Sequence, residues 1–110
     1  MTILPSNIFT DIPAALKQEL FQTLLSTPTL KIERIVSKGH NNPSDFWYEQ
    51  SQDEWVLILQ GQARLQFSDQ HYVELATGDY LLIPAHCRHR VDWTIADIET
   101  VWLAIHITNS

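Results

Sequence analysis

From Leu30 onward, the chain is a succession of short strand-like segments separated by turn-forming residues. In several of these segments apolar residues recur at every second position, which is the period of a strand that buries one face. Many short strands at close spacing are typical of an all-β sandwich or barrel. We predict strands over residues 30–37, 46–49, 54–60, 62–68, 71–76, 80–84, 89–94 and 99–107.

The segment that precedes these strands has a different period. Leu16, Leu20 and Leu24 recur four residues apart, which would place them in one apolar stripe along a helix. Asp11 is a residue type suited to cap the start of that helix. We therefore expect one α-helix over residues 11–25 that packs on the sheet.

Composition limits the class of protein. The 110 residues leave room for one domain over 1–110, with an N-terminal arm and helix over 1–29 and a barrel over 30–108. A net charge of −6 argues against nucleic acid or an anionic membrane surface as a partner. Cys87 is the single cysteine, and no stretch has the pattern of a signal peptide or a membrane span. We therefore expect a cytoplasmic protein.

One motif in the second half of the chain is more specific. Five residues separate Gly78 from Pro84, and His89 follows Pro84 by five positions. This spacing resembles the second motif of the cupin superfamily, Gly-x5-Pro-x-Gly-x2-His-x3-Asn, with His86 in place of its second glycine and Trp93 in place of its asparagine. The chain looks similar to small single-domain cupins of the mannose-6-phosphate-isomerase-like kind. The resemblance implies a cupin-type jelly-roll β-barrel, also called a double-stranded β-helix.

The first motif of that superfamily is matched only in its second half. Glu54 is followed by a glycine after six intervening residues, as the motif requires. The two histidines that precede this glutamate in the family are absent. With a four-residue gap their positions fall on Trp47 and Glu49, and with a three-residue gap they fall on Tyr48 and Gln50.

The resemblance also implies a candidate metal site. Metal-binding cupins hold the ion with the first-motif histidines and glutamate and with the second-motif histidine. Glu54 and His89 keep their positions here, and Glu49 replaces a histidine if the four-residue gap applies. Two carboxylates and one imidazole suit Mn, Fe(II), Ni or Zn, with His86 as a fourth ligand or a supporting group. Such an ion would polarise a small sugar or organic acid for isomerisation, epimerisation or oxygen-dependent oxidation.

Strand periodicity predicts how these side chains are oriented. In the strand over 89–94, alternation puts His89 and Trp93 on the face toward the barrel interior, and Arg90 and Asp92 on the face toward solvent. We expect Glu54 to point inward as well. The acid and the imidazole should therefore meet inside one cavity.

Two alternatives to an enzyme are open. The first is a metal-free binding module that holds a small ligand between Tyr48, His89 and Trp93, with His86 nearby. The second is a structural homodimer whose barrel is filled by its own side chains, with dimerisation covering the exposed tryptophans. His106 lies outside both motifs, and we expect it to have only a structural role.

Overall fold

A computed structural model of the chain describes residues 1–108, so residues 109 and 110 of the predicted domain lie outside the described range. Within residues 1–108 the chain forms eight strands in two antiparallel sheets, which confirms the predicted all-β jelly-roll barrel. No helix in this range is long and apolar enough to cross a membrane. The strands are β1 (Leu20–Ser26), β2 (Leu30–Ser37), β3 (Asp53–Gln60), β4 (Gln62–Phe67), β5 (Tyr72–Ala76), β6 (Tyr80–Ile83), β7 (His89–Thr94) and β8 (Thr100–Ile107).

The core lies between the two sheets. Over residues 1–108, the larger sheet has the strand order β1-β2-β8-β3-β6, and the smaller has the order β5-β4-β7. Alternate residues of each strand point inward, and the apolar ones form one cluster. Its buried members are Ile35, Val56, Ile58, Ala63, Leu65, Leu75, Ile83, Val91, Trp102 and Ala104.

The predicted helix over residues 11–25 is wrong. Residues 1–19 contain turns without a helix, and the remainder of that segment belongs to the edge strand β1, which pairs with β2. The arm is held to the sheet by Arg34, which donates hydrogen bonds to the carbonyls of Ile8 and Thr10. The leucine period is compatible with a helix, but an isolated helix of this length is marginal in water. Pairing with the open backbone edge of β2 outweighs that local preference.

The segment over residues 46–49 also differs from prediction, because it is not a full strand. It contributes a single antiparallel bridge between Tyr48 and His89. The Tyr48 N–H donates to the His89 carbonyl at 2.7 Å, and the His89 N–H donates to the Tyr48 carbonyl at 3.1 Å. This bridge attaches the loop before β3 to the start of β7.

A bulge in β7 reverses the predicted orientation of Trp93. Leu65 of β4 pairs with Val91, but the preceding Arg64 pairs with Trp93, so Asp92 is an extra residue. An extra residue in one strand of an antiparallel pair shifts the alternation by one position. Trp93 therefore lies on the outer face, 41% exposed, and its predicted inward orientation is wrong.

Arg90 is on the outer face, as alternation predicts, but it is buried and does not face solvent. The loop before β3 covers it. Its guanidinium donates hydrogen bonds to the carbonyls of Asn42 and Pro43, and to the side chains of Gln66 and Asp92. These bonds fasten the loop to the smaller sheet and so help to hold its bridge to β7.

Candidate functional site

The barrel interior contains a partly open cavity of about 140 Å³. Side chains from both sheets form its walls, and Phe21 of β1 marks the opening because it both lines the cavity and is half exposed. The cavity is therefore not filled by the protein's own side chains. Its apolar walls are formed by Ile35, Val56, Leu65, Ile83, Val91 and Trp102.

Glu54 and His89 face each other inside this cavity. Glu54 points inward because it alternates in phase with Val56 and Ile58 on β3, and only 8% of its surface is exposed. His89 is the first residue of β7 and is 6% exposed. The Glu54 Oε1 and His89 Nε2 atoms are 3.5 Å apart. The predicted meeting of the acid and the imidazole in one cavity is confirmed.

The backbone determines which nitrogen of His89 carries a proton. Nδ1 lies 2.9 Å from the carbonyl oxygen of Cys87. A carbonyl oxygen only accepts, so Nδ1 must be the donor, and in the neutral imidazole Nε2 is then an acceptor. Glu54 Oε1, which faces Nε2, has no hydrogen-bond partner within residues 1–108. With His89 neutral, these two acceptors are aimed at one space, and they require a hydrogen-bond donor or a cation between them.

Tyr48 covers the imidazole and contributes a neutral phenol. Its ring stacks on that of His89, with centroids 5.5 Å apart and planes inclined by 26°. Burial raises the pKa of Tyr48, and the carboxylates of Glu19 and Glu54 raise it further. A side-chain hydrogen bond with Asn42 lowers the pKa by less than burial raises it, so Tyr48 remains a neutral phenol at neutral pH.

The structure also decides which residues occupy the positions of the first-motif histidines. Tyr48 and Gln50 line the cavity, whereas Glu49 between them is exposed and does not line it. The three-residue gap therefore describes this chain. The structure does not bring Glu49 together with Glu54 and His89.

The other two predicted ligand-binding residues, His86 and Trp93, also lie outside the cavity lining. His86 is exposed and has a φ of 66°, and its N–H donates to the carbonyl of Gln50 at 2.6 Å. A positive φ is the conformation that glycine adopts most readily. This accounts for the glycine that the second motif has where this chain has His86.

A second imidazole–carboxylate pair lies in the same cavity, and sequence reasoning missed it. His106 Nε2 is 2.8 Å from Glu33 Oε1, and both residues are buried and line the cavity. His106 Nδ1 is buried without a hydrogen-bond partner among residues 1–108. Alternation contained the signal, because His106 is in phase with Trp102 and Ala104 on β8, and Glu33 is in phase with Ile35 on β2.

The cavity has a negative electrostatic character. Three glutamates line it, Glu19, Glu33 and Glu54, and none of the described lining residues is Lys or Arg. Ser37 donates to Glu19 Oε2 at 2.6 Å and accepts from Trp102 Nε1 at 3.1 Å, which fixes the Glu19 carboxylate at the wall. With neutral histidines, the net charge of the lining is negative.

The side chains do not form a metal centre of the expected kind. Over the described part of the chain, no group of three or more His, Cys, Asp or Glu residues is arranged to hold a metal ion. Glu54 and His89 supply two donors, whereas catalytic zinc sites, for example, usually have about three protein ligands. Tyr48 and Gln50 offer a neutral phenol and a neutral amide where the family has imidazoles. The donor set expected from sequence, with Glu49 as third ligand, therefore does not fit this cavity.

Comparisons with known proteins agree with this fold. The family model described as "Cupin domain" matches residues 35–106. A candidate mannose-6-phosphate isomerase from Ralstonia eutropha is 44% identical over 97% of this chain and 100% of that one, with a TM-score of 0.91. A cupin superfamily protein from Desulfitobacterium hafniense is 26% identical over 89% of this chain and 84% of that one, with a TM-score of 0.75. The structure of FeII HppE shares the fold alone. It is 17% identical over 81% of this chain and 50% of that one, with a TM-score of 0.69. A comparison with curated proteins gave no match.

Proposed function

The chain belongs to the cupin family, and from that premise we propose that it binds a small molecule in the barrel cavity without a resident metal ion. One observation carries the proposal. Glu54 Oε1 is buried with no hydrogen-bond partner within residues 1–108, and it lies 3.5 Å from His89 Nε2, which is an acceptor in the neutral imidazole that donates from Nδ1 to Cys87. An unsatisfied buried acceptor costs about 1–3 kcal/mol. A ligand that places an N–H or O–H group between the two atoms removes that cost.

The cavity also limits the size of the ligand. Its volume of about 140 Å³ is close to that of an engineered cavity of about 150 Å³ that binds benzene. The enclosed part of the ligand therefore has roughly six to eight non-hydrogen atoms. A larger molecule, such as a whole sugar, must extend through the opening beside Phe21. The apolar walls favour a carbon skeleton with a few polar groups, as in most small-molecule sites.

A matched pair of glutamate variants tests the proposal. Glu54→Gln keeps the shape of the side chain but removes the charge and one acceptor, whereas Glu49→Gln makes the same change at an exposed position. We expect small alcohols, diols or amines to raise the melting temperature of the wild type and of Glu49→Gln, and to have little effect on Glu54→Gln. The proposal fails if no small molecule stabilises the wild type, or if the two variants respond alike.

The rival proposal is a divalent metal ion, Mn, Fe, Ni or Zn, held by Glu54 and His89 and serving an isomerase, epimerase or dioxygenase. It takes support from Glu54 and His89, which match two positions of the metal motif, although the described residues supply two ligands where the motif has four. Elemental analysis of protein purified without chelator separates the two proposals. One equivalent of metal in the wild type that disappears in Glu54→Gln would overturn metal-free binding.

For the assembly, we propose a homodimer formed through β1. This strand is at the edge of the larger sheet and exposes three large apolar side chains, Phe21, Leu24 and Leu25, each about half exposed. An open apolar edge favours pairing with another strand, and a second copy would cover both edges symmetrically. Light scattering should give a dimer for the wild type and a monomer for Leu24→Lys. A monomeric wild type contradicts this assembly without affecting the cavity proposal.

A further inference from the structure

We propose that the cavity selects a protonated primary amine over neutral alcohols and over anions. This inference rests on the proposed binding function and names the chemical class of its ligand. It goes beyond that function because cavity size and the missing donor alone admit a hydroxyl group equally well. Hydrogen-bond geometry and charge distinguish the three classes.

The first argument is the number of donors required. When His89 is neutral, the Cys87 carbonyl fixes its tautomer, and His89 Nε2 and Glu54 Oε1 are then both acceptors. A nitrogen about 2.9 Å from each atom would hydrogen-bond to both, because their 3.5 Å separation allows it to sit between them. An ammonium group has three donors and meets both needs, whereas a hydroxyl has one donor and leaves one acceptor unsatisfied.

The second argument is charge. Glu54 is the group aimed at the ligand, and its side chain is only 10% exposed. Glu19 lines the same cavity and accepts a hydrogen bond from the neutral Ser37 hydroxyl. Glu33 also lines it, but Lys31 Nζ lies 3.4 Å from its Oε2 and offsets its charge, so Glu54 and Glu19 carry this argument. Hydrogen bonds between an ammonium and a carboxylate are charge-assisted and stronger than those of a neutral alcohol. A carboxylate or phosphate ligand would add negative charge to this enclosure and be repelled.

The third argument is the aromatic lining. Tyr48 and Trp102 both contribute to the cavity wall, and Tyr48 stacks on the ring of His89. Aromatic faces attract ammonium groups electrostatically, and this attraction is stronger where water is excluded. The apolar remainder of the wall accommodates the carbon chain of an alkylamine.

Butylamine, 1-butanol and butyrate test the inference, since they share an alkyl chain and differ in charge and donors. Dissociation constants are measured at neutral pH by protein-observed NMR titration of the wild type. We expect butylamine to bind at least about tenfold more tightly than 1-butanol, and butyrate to produce no saturable shift. Glu54→Gln should lose this preference, whereas the exposed control Glu49→Gln should keep it.

The possible failures are distinguishable. Equal or tighter binding of 1-butanol overturns the selection of amines but leaves small-molecule binding in the cavity intact. Saturable binding of butyrate in the cavity also overturns it. If butylamine does not bind, this inference is wrong whatever the thermal screen shows. The comparison uses the wild type, so it does not depend on whether Glu54→Gln folds.

Discussion

Alanine at Gly61 should destabilise the fold much more than alanine at Gly78. Gly61 joins β3 to β4, so it is the point where the chain passes from one sheet to the other. The two glycines have nearly the same φ, 96° and 91°. A Cβ at Gly61 would clash with Thr100 Oγ1 and would lie 2.7 Å from Thr100 Cα, whereas a Cβ at Gly78 meets nothing within 4 Å.

The magnitude separates into two parts. A positive φ costs a non-glycine residue about 1–3 kcal/mol, and restricting the unfolded chain offsets about 0.4–1 kcal/mol of that. Gly78→Ala should therefore cost about 1 kcal/mol, within a range set by those two terms. Gly61→Ala adds overpacking against Thr100, which typically costs about 1–3 kcal/mol. The Thr100 side chain can rotate, but its Cα belongs to β8, which is paired on both sides by β2 and β3.

Urea denaturation of the wild type and both variants measures this difference. Both variants should shift the midpoint downward with little change in slope, and the shift for Gly61→Ala should be larger by the equivalent of about 1–3 kcal/mol. Adding Thr100→Ala to Gly61→Ala should recover only part of the loss, because the contact with Cα remains. Equal shifts for the two glycine variants would refute the steric argument and leave backbone strain as the cause.

Three further predictions concern stability and pH. His86→Gly should raise the free energy of unfolding by up to about 1 kcal/mol, because glycine adopts a positive φ without strain. His86→Val should lower the free energy of unfolding, and denaturant titration measures both changes. Burial raises the pKa of Asp92, but hydrogen bonds from Arg64 and Arg90 outweigh burial and hold that pKa below 3.8. Its folded pKa is depressed, so the stability that Asp92 contributes above about pH 4 is lost as the pH falls through the lowered value. Asp92→Asn should therefore flatten the acid limb of a stability–pH profile. Burial raises the pKa of Tyr48 above 10.0. Ultraviolet titration should therefore show one tyrosine that ionises above pH 10 in the wild type and is missing in Tyr48→Phe. Because the unfolded chain ionises first, the stability of the wild type should fall above pH 10 more than that of the variant.

Strand periodicity predicted the inward-facing part of the site because it is a local property of the chain. Glu54 and Val56 are buried and alternate with partly buried neighbours on β3, as the period of a strand predicts. The same reasoning applied to β8 would have identified His106 from Trp102. The prediction of a helix over 11–25 was wrong because β1 is a strand only through its pairing with β2, the next strand along the chain. The leucine spacing within residues 11–25 contains no information about that pairing.

The orientation of Trp93 could not be derived from the sequence. The Asp92 carboxylate at the bulge accepts hydrogen bonds from Arg64 of the neighbouring strand β4 and from Arg90, two residues earlier on β7. The contact with Arg64 has no signature in the spacing of residues along β7. Alternation read through such a bulge assigns every later side chain to the wrong face.

The choice between a metal ligand and an organic ligand depends on a single backbone bridge. Tyr48 and His89 exchange both of their backbone hydrogen bonds, so they are directly opposite each other. Side chains of directly opposed residues in an antiparallel pair project to the same face. Because His89 faces the cavity, Tyr48 must face it too, and Glu49 must face away. A shift of this bridge by one residue would turn the Glu49 carboxylate toward Glu54 and His89, where it could serve as a third metal ligand. The bridge instead places a neutral phenol there, and under the proposed function the ligand's own donors would satisfy Glu54 and the neutral His89.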